Sequence, residues 1–413
     1  MKKNLLILLL IFSSCFAKIQ KPSPIPPASL YYLDFEPGIC DSQCLKKLID
    51  EKKDFSFLSR YSKEYSNSYL ESYYMSLVSG IAKLVVTKDM DLSQQQIAVL
   101  LPQNIIGGYA HIVSNAVFSY IISKNLNVKV KFYLTGNENE ISLITAINKI
   151  KNDGISLVIA PLTAKGAEII AKNSDINMLF FIPTLHYKMV KASRGNIFFG
   201  GIDYEDQVLK LLEYSDYKNI VVFEDNSFLA KFLDEYISLS GANIEKKVLV
   251  DGAQTSLLGR VDENLKDVDI FLNLPLNTTA KIIYELKIND LVPNAFFTTQ
   301  INYAPKLLSL IDFKDRQNLF IANSITHVPQ NIASISSILG VDIYYNWIAY
   351  STAIGLDYLY NAFANTDDER IFKERIVGSS INYDTKIYKT TNHKFESIRD
   401  EEKNLNSELN FEN

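Results

Sequence analysis

Histidine, cysteine and tryptophan are scarce in this 413-residue chain, which holds four histidines, three cysteines and one tryptophan. The histidines (His111, His186, His327 and His393) stand one by one, so neighbours in sequence assemble no Cys/His ligand set with metal spacing. No G-x-S-x-G elbow, H-E-x-x-H pair or phosphate-cradling Gly-Lys loop occurs. The adjacent carboxylates Glu224 and Asp225 close a strand-like run, where successive side chains point to opposite faces and cannot share acid and base roles. A catalytic function, a metal and a cofactor are therefore not expected. Runs of positive charge are missing as well. With 42 basic against 47 acidic residues, a net charge of −5, the chain lacks the clustered cations that phosphate neutralisation needs, which argues against nucleic acid. Beyond the N-terminus, no apolar run is long enough to cross a bilayer.

What is present begins with Lys2 and Lys3, an apolar run from Leu5 to Phe12, and the small residues Ser13, Ser14, Cys15 and Ala17. Residues 1–17 thus have the layout of a secretory signal, too short to persist as a membrane span. Two processing routes fit. Cys15-Phe16-Ala17 suits cleavage before Lys18, whereas Phe12-Ser13-Ser14-Cys15 suits a lipobox that leaves Cys15 as the lipidated first residue. Under either route the expected compartment is the periplasm, and the only expected membrane contact is an N-terminal lipid. Cys40 and Cys44 then remain as an even pair in an oxidising compartment. Their spacing allows a small disulfide loop at a helix start, the alternative being two reduced, partly buried thiols.

Pro22, Pro24, Pro26 and Pro27 make residues 18–29 a semi-rigid tether. Residues 30–92 read as a helical segment, with Asp41 as a cap and Leu45, Leu48 and Ile49 as an apolar face. Tyr61, Tyr65, Tyr69 and Tyr73 recur at every fourth residue, which predicts a stripe on one helix side. Such a stripe either packs on the main domain or offers a docking surface. From Ile97 onward, short β-branched and aromatic runs alternate with helical periods. Strands are predicted at 97–101, 128–133, 157–160, 179–182, 219–223, 246–250, 269–273, 295–298 and 319–322. Helices are predicted at 108–123, 138–152, 163–173, 205–214, 228–240, 277–286 and 344–363. This alternation means an α/β fold of parallel sheets with helices on both faces. The break at Gly200-Gly201-Ile202-Asp203 divides it into two units. One lobe is expected to hold 97–202 and about 326–375, the other 203–325 and about 376–395, with a polar tail at 396–413.

The pieces and their order resemble the type I periplasmic-binding fold of the leucine/isoleucine/valine-binding kind. Ile97-Ala98-Val99-Leu100-Leu101-Pro102, followed by Gly107-Gly108 and a helix of small residues, is similar to that family's opening strand and first ligand-side loop. Leu157-Val158-Ile159-Ala160-Pro161-Leu162-Thr163 matches a later strand and loop. Ile220-Val221-Val222-Phe223-Glu224-Asp225 restarts the pattern, and Tyr344 to Tyr360 resembles the late helix that returns to the first lobe. The resemblance covers about residues 97–395. It implies two Rossmann-like parallel-sheet lobes with a cleft, preceded by a short helical segment.

In such a fold the ligand lies at the carboxyl ends of both sheets, partly held by a helix N-terminus that attracts anions. The resemblance then implies that Asn104, Tyr109, Thr163, Lys165, Thr184 and His186 line one side of the cleft. Tyr204, Glu224, Asn273, Thr298, Gln300 and Tyr303 would line the other. Each reads equally well as a loop polar group satisfied within the chain. Amino-acid receptors usually carry a Gly-rich turn after the first helix, which Asn125-Leu126-Asn127-Val128 lacks. The loop Pro161-Leu162-Thr163-Ala164-Lys165 is more similar to the outer-membrane lipoproteins that activate penicillin-binding proteins, whose helical N-terminal domain is longer than the segment here. That resemblance implies a ligand-sensing or protein-docking module of the cell envelope. The alternative is the solute-binding receptor of an ABC transporter for amino acids or similar small molecules. The expected partner is accordingly a small-molecule ligand or an envelope protein.

Overall fold

The computed structural model describes residues 39–74, 77, 96–191, 193–215, 217, 219–250, 265, 268–364 and 370–398. The signal segment with Cys15, the proline-rich tether and most of the polar tail lie outside the described residues. The chain divides into two compact units, 1–74 and 75–413.

In the first unit, Asp41 caps α1 (Ser42–Asp50) by accepting from the N–H groups of Gln43 and Cys44 at 3.1 and 2.9 Å. Cys40 and Cys44 are joined by a disulfide across this turn, with Cα atoms 5.2 Å apart. Lys52, in the left-handed region at φ 56°, ends the run, and α2 (Asp54–Arg60) follows. The stripe of tyrosines on one helix side does not form. Tyr61 is extended, Lys63–Tyr65 is a single 3₁₀ turn, and Asn67 starts a fresh helical stretch at 68–74 by accepting from the N–H groups of Tyr69 and Leu70. Such short side-chain-to-backbone bonds compete with helix continuation. Tyr61 stacks on Tyr74 at 4.3 Å, and Tyr73 meets the buried Phe57 edge-on at 5.3 Å. The Tyr73 hydroxyl donates to Asp54 at 2.7 Å, and that bond pushes its pKa up to about 12.

The second unit holds two seven-stranded sheets of matching order. In the first, β1 (Gln96–Leu101), β2 (Lys129–Leu134), β3 (Leu157–Ile159), β4 (Leu179–Ile182) and β5 (Ile197–Phe199) run parallel in the order β2-β1-β3-β4-β5. In the second, β6 (Ile220–Glu224), β7 (Ile244–Leu249), β8 (Asp269–Asn273), β9 (Ala295–Thr298) and β10 (Leu319–Asn323) repeat it as β7-β6-β8-β9-β10. The strands are apolar throughout because both faces are covered. Ile97, Val99 and Leu101 join one core, with α4 (Tyr109–Ser123), while Ala98 and Leu100 join the opposite one, with α5 (Glu140–Asn152) and α6 (Ala164–Asn173). A short helix, α3 (Gln103–Ile106), lies between β1 and α4.

The second sheet is flanked by α7 (Tyr204–Tyr214), α8 (Phe228–Leu239), α9 (Leu276–Ile288) and α10 (Pro305–Leu310). The chain then returns, because α11 (Gln330–Ile338) and α12 (Trp347–Ala364) pack beside α4 in the first lobe. There β11 (Arg375–Val377) turns at Gly378, φ 63°, and folds back antiparallel on β12 (Ser380–Asn382), which lies parallel to β5. Residues 376–382, expected with the second lobe, thus belong to the first sheet, since this hairpin closes its edge. Finally β13 (Lys386–Thr390) and β14 (Phe395–Ser397) add antiparallel strands beside β10. These strands and β5 are absent from the predicted set, being short runs set between turn residues rather than periodic segments.

The chain therefore passes between lobes at about 200–203, 324–329 and 383–385, and these crossings are bonded to one another. The Tyr383 hydroxyl donates to the Gly200 carbonyl. Gln207 Nε2 donates to Ser324 Oγ at 2.8 Å, and the Ser324 and Thr385 hydroxyls share a bond of 3.1 Å. A Cβ on Gly201 would stand 2.2 Å from the backbone nitrogen of His186 and the carbonyl carbon of Leu185, so the first crossing tolerates no side chain. Gly201→Ala is expected to destabilise the second unit by about 1–3 kcal/mol. Urea unfolding of the variant checks this, and a wild-type midpoint would show slack at the crossing.

Candidate functional site

Ligands of open α/β sheets collect at the carboxyl ends of the strands, which here carry the loops after β1, β2, β3, β4, β6, β8 and β9. After β1, Asn104 is exposed, and its N–H donates to the Gly136 carbonyl at 2.9 Å. After β2, Gly136 takes φ 70°, a conformation that favours glycine, and its N–H donates to Gln103 Oε1 at 3.1 Å. This turn delivers Glu138 into the lobe, where it is 5% exposed. The carboxylate accepts the N–H of Thr163 at 2.9 Å on one oxygen and the Thr163 hydroxyl on the other. Thr163 is thus engaged by an internal acid at the start of α6, while Lys165, two residues on, is exposed. After β4, the Thr184 hydroxyl donates to the Leu162 carbonyl at 2.6 Å and accepts from the Leu162 N–H at 3.0 Å, stapling one loop to the next.

His186 is buried, and desolvation holds its pKa below the ordinary 6.5. Its Nε2 stands 3.8 Å from Asp203 Oδ2, and the Lys188 ammonium bonds Asp203 at 3.0 Å and Glu205 at 2.6 Å. This cluster joins the loop after β4 to the start of α7 across the first crossing. Tyr204 packs against the cores of both lobes, and its hydroxyl pKa is raised by burial and by nearby Tyr109. Between them lies a cavity of about 10 Å³ lined by His186, Met189, Ile202, Tyr204, Phe232 and Tyr236. That is room for about one water, not a solute.

In the second lobe, Glu224 is half-buried at the end of β6, and burial, reinforced by Asp234, holds its carboxyl above the usual value. Asn273 pairs in register with it on β8 and is 2% exposed, with Nδ2 lacking a hydrogen-bond partner. The remaining candidates are tied inward. Thr298 donates to the Leu272 carbonyl at 3.0 Å and accepts from Asn302 Nδ2 at 2.7 Å. Gln300 is held by Gln207 through its N–H at 2.9 Å, by Asn323 through Nε2 at 2.6 Å, and by the Ser324 N–H through Oε1 at 2.6 Å. Tyr303 belongs to an aromatic cluster with Tyr345, Tyr388 and Phe395, and burial raises its pKa.

The structure thus brings together Tyr109, His186 and Tyr204 at the lobe junction, and Glu224 with Asn273 on the second sheet. It uses Thr163, Thr184, Thr298 and Gln300 to fasten the chain to itself. Sequence reading missed Glu138, Gln207, Lys188 and Asp203. Only Asp203 carried a signal, as the polar residue closing the Gly200-Gly201 break. Among the described residues, no group of three or more His, Cys, Asp or Glu side chains converges to hold a metal.

His186 sets a pH dependence. Its folded-state pKa is depressed, so between that value and about 6.5 the unfolded chain binds the extra proton. The stabilisation is whole above about 6.5 and is lost as pH falls through the depressed value. A thermal-melt series from pH 7.5 to 5 is expected to fall more steeply for the wild type than for His186→Gln; parallel curves would contradict this.

No protein-family model matches the chain, and no curated protein matches it in sequence. Solved structures do. Full-length LpoA from Haemophilus influenzae aligns at a TM-score of 0.53 and 13% identity, over 86% of this chain and 68% of that one. An ABC-transporter solute-binding protein from R. palustris, in complex with 4-hydroxybenzoate, aligns at 0.53 and 9% identity, over 74% and 96%. LivJ from Streptococcus pneumoniae, in complex with isoleucine, aligns at 0.51 and 10% identity, over 74% and 99%. With its two sheets of matching strand order, the chain has the type I periplasmic-binding fold.

Proposed function

We propose that this is a non-catalytic, periplasmic docking module of the bacterial cell envelope, similar in role to the activators of penicillin-binding proteins. The observation that carries the reading is where the polar groups of the cleft edge go. Thr163, Thr184, Thr298 and Gln300 are bonded to the chain itself. A solute receptor needs convergent polar groups and room for the solute. Beside exposed polar side chains such as Asn104 and Lys165, the same edge exposes four large apolar ones: Ile105, Tyr109 and Ile141 on the first lobe, and Phe228 on the second. Apolar and aromatic side chains around a rim suit a protein partner. The likeness to LpoA also covers more of the chain, 86% against 74% for the transport-associated proteins.

In this reading the proline-rich stretch tethers the domain and residues 30–92 form an accessory helical segment. Periplasmic location follows from the secretory layout of residues 1–17, and anchoring through a lipid on Cys15 is its finer form. Among the described residues, no helix is long and apolar enough to cross a membrane. The similar structures are binding proteins and LpoA rather than enzymes, which supports a non-catalytic role.

A second reading, the receptor of an ABC transporter for amino acids or similar small molecules, is favoured by one pair. Half-buried Glu224 and the unpartnered Asn273 Nδ2 together offer an acceptor and a donor to a polar group. Two measurements separate the readings. Thermal shift of the mature protein against amino acids, short peptides and peptidoglycan fragments is expected to show no stabilisation. A true solute at a hundredfold excess over its dissociation constant would add about 2.7 kcal/mol. In cells, a photo-crosslinker at position 109, 141 or 228 is expected to trap a discrete envelope protein, whereas one at exposed Ile176 is not. A solute-dependent shift without a position-specific crosslink would overturn the docking reading.

A further inference from the structure

We infer that Glu138 is a specificity-determining residue: it is a built-in carboxylate that fills an anion receptor in the first lobe and closes it to free carboxylates. The receptor has walls as well as donors. The N-terminus of a helix offers unbonded N–H groups and the positive end of its dipole, which suits a carboxylate. At the start of α6, the Thr163 N–H and hydroxyl both meet Glu138, one on each oxygen. Thr163 stands at the cap position of the helix, yet its hydroxyl makes no capping bond of its own and turns to the acid instead. The third wall is Gly166. A Cβ there would lie 2.8 Å from both Cδ and Oε2 of Glu138, so the absence of a side chain makes space for the carboxylate group.

The delivery is equally specific. Glu138 is not the first residue of α5, whose cap is Asn139, accepting from the Ser142 N–H at 2.8 Å. It lies in the preceding loop, bent by Gly136 at φ 70° and pinned by the Gly136–Asn104 and Gly136–Gln103 bonds. An ordinary loop glutamate is solvated. This one is 5% exposed and held by a neutral amide and a hydroxyl, with no basic side chain bonded to it. A buried acid held this way takes the place a ligand's carboxylate would take. With it seated, the N–H and hydroxyl of Thr163 at this helix start are already taken. The receptor in the first lobe exists whether or not a protein docks on the rim, so the two stand or fall separately.

Removing the internal carboxylate should uncover the receptor. In the full mature protein, Glu138→Ala is expected to melt lower than the wild type. Sodium formate or acetate should restore several degrees in a saturable manner, where sodium chloride at equal ionic strength does not. The wild type and Glu138→Gln, whose space is filled, are expected to show no formate-specific shift. A folded E138A protein that responds to formate and acetate no more than the wild type would overturn the inference. Should E138A not fold, Gly166→Ala provides a second route. A helical glycine-to-alanine change ordinarily stabilises, but here it is expected to lower the melting temperature by crowding the carboxylate. That penalty should shrink in Glu138→Asp, whose shorter side chain draws the carboxylate back. An equal penalty in both backgrounds would also overturn it.

Discussion

The rest of the structure depends on a buried set of amide and hydroxyl bonds that ties the crossings between the lobes together. Gln207, Gln300, Asn323 and Ser324 are all at most 4% exposed. They come from α7, the loop after β9 and the end of β10, and they meet Thr385 on the last crossing. Leaving any one of them unbonded in the interior would cost roughly 1–3 kcal/mol. The network is therefore kept whole or lost at considerable expense in stability. Gln300 stands where a cleft residue was expected because the end of β9 points its amide into this network rather than toward open space.

The same economy recurs on the first lobe. Glu138 bonds Thr163, Thr184 bonds Leu162, and the Lys188–Asp203–Glu205 cluster joins the loop after β4 to α7. Tyr204 packs into both lobes' cores. Opening the lobes would have to part that ion cluster and withdraw Tyr204 from one core. Exposed, partly screened ion pairs contribute little singly, so of these contacts the packing of Tyr204 is the larger obstacle to opening. The proposed docking rests on the large apolar side chains left exposed beside these loops, Ile105, Tyr109, Ile141 and Phe228.

The repeating architecture was legible because both sheets are buried on two faces and their strands are short apolar runs between helical periods. Ile97–Leu101 and Ile220–Phe223 needed no tertiary information. The strands that escaped are those whose stability comes from partners: β5 lies between Asn196 and Gly200, and β11 and β12 exist because Gly378 allows a hairpin. The tyrosine spacing failed for a related reason, since Asn67 and the extended Tyr61 break the helix that a periodic pattern implies. The site was less legible still. Residue types at strand ends drew attention to these loops, but what Thr163 and Gln300 bond to within the chain depends on Glu138 and Gln207. In the sequence those two read as the first residue of a predicted helix and as an amide within another.

We expect the bonds at the crossings and the packing of Tyr204 to keep the domain from cycling between open and closed states. Double electron–electron resonance between nitroxide labels at exposed Ile141 and Tyr284, in a Cys15→Ser background with the Cys40–Cys44 disulfide intact, tests it most directly. One narrow distance distribution is expected, unchanged by amino acids or peptidoglycan fragments. Two populations, or a shift on adding a small molecule, would contradict it and return the protein to the hinged solute receptors.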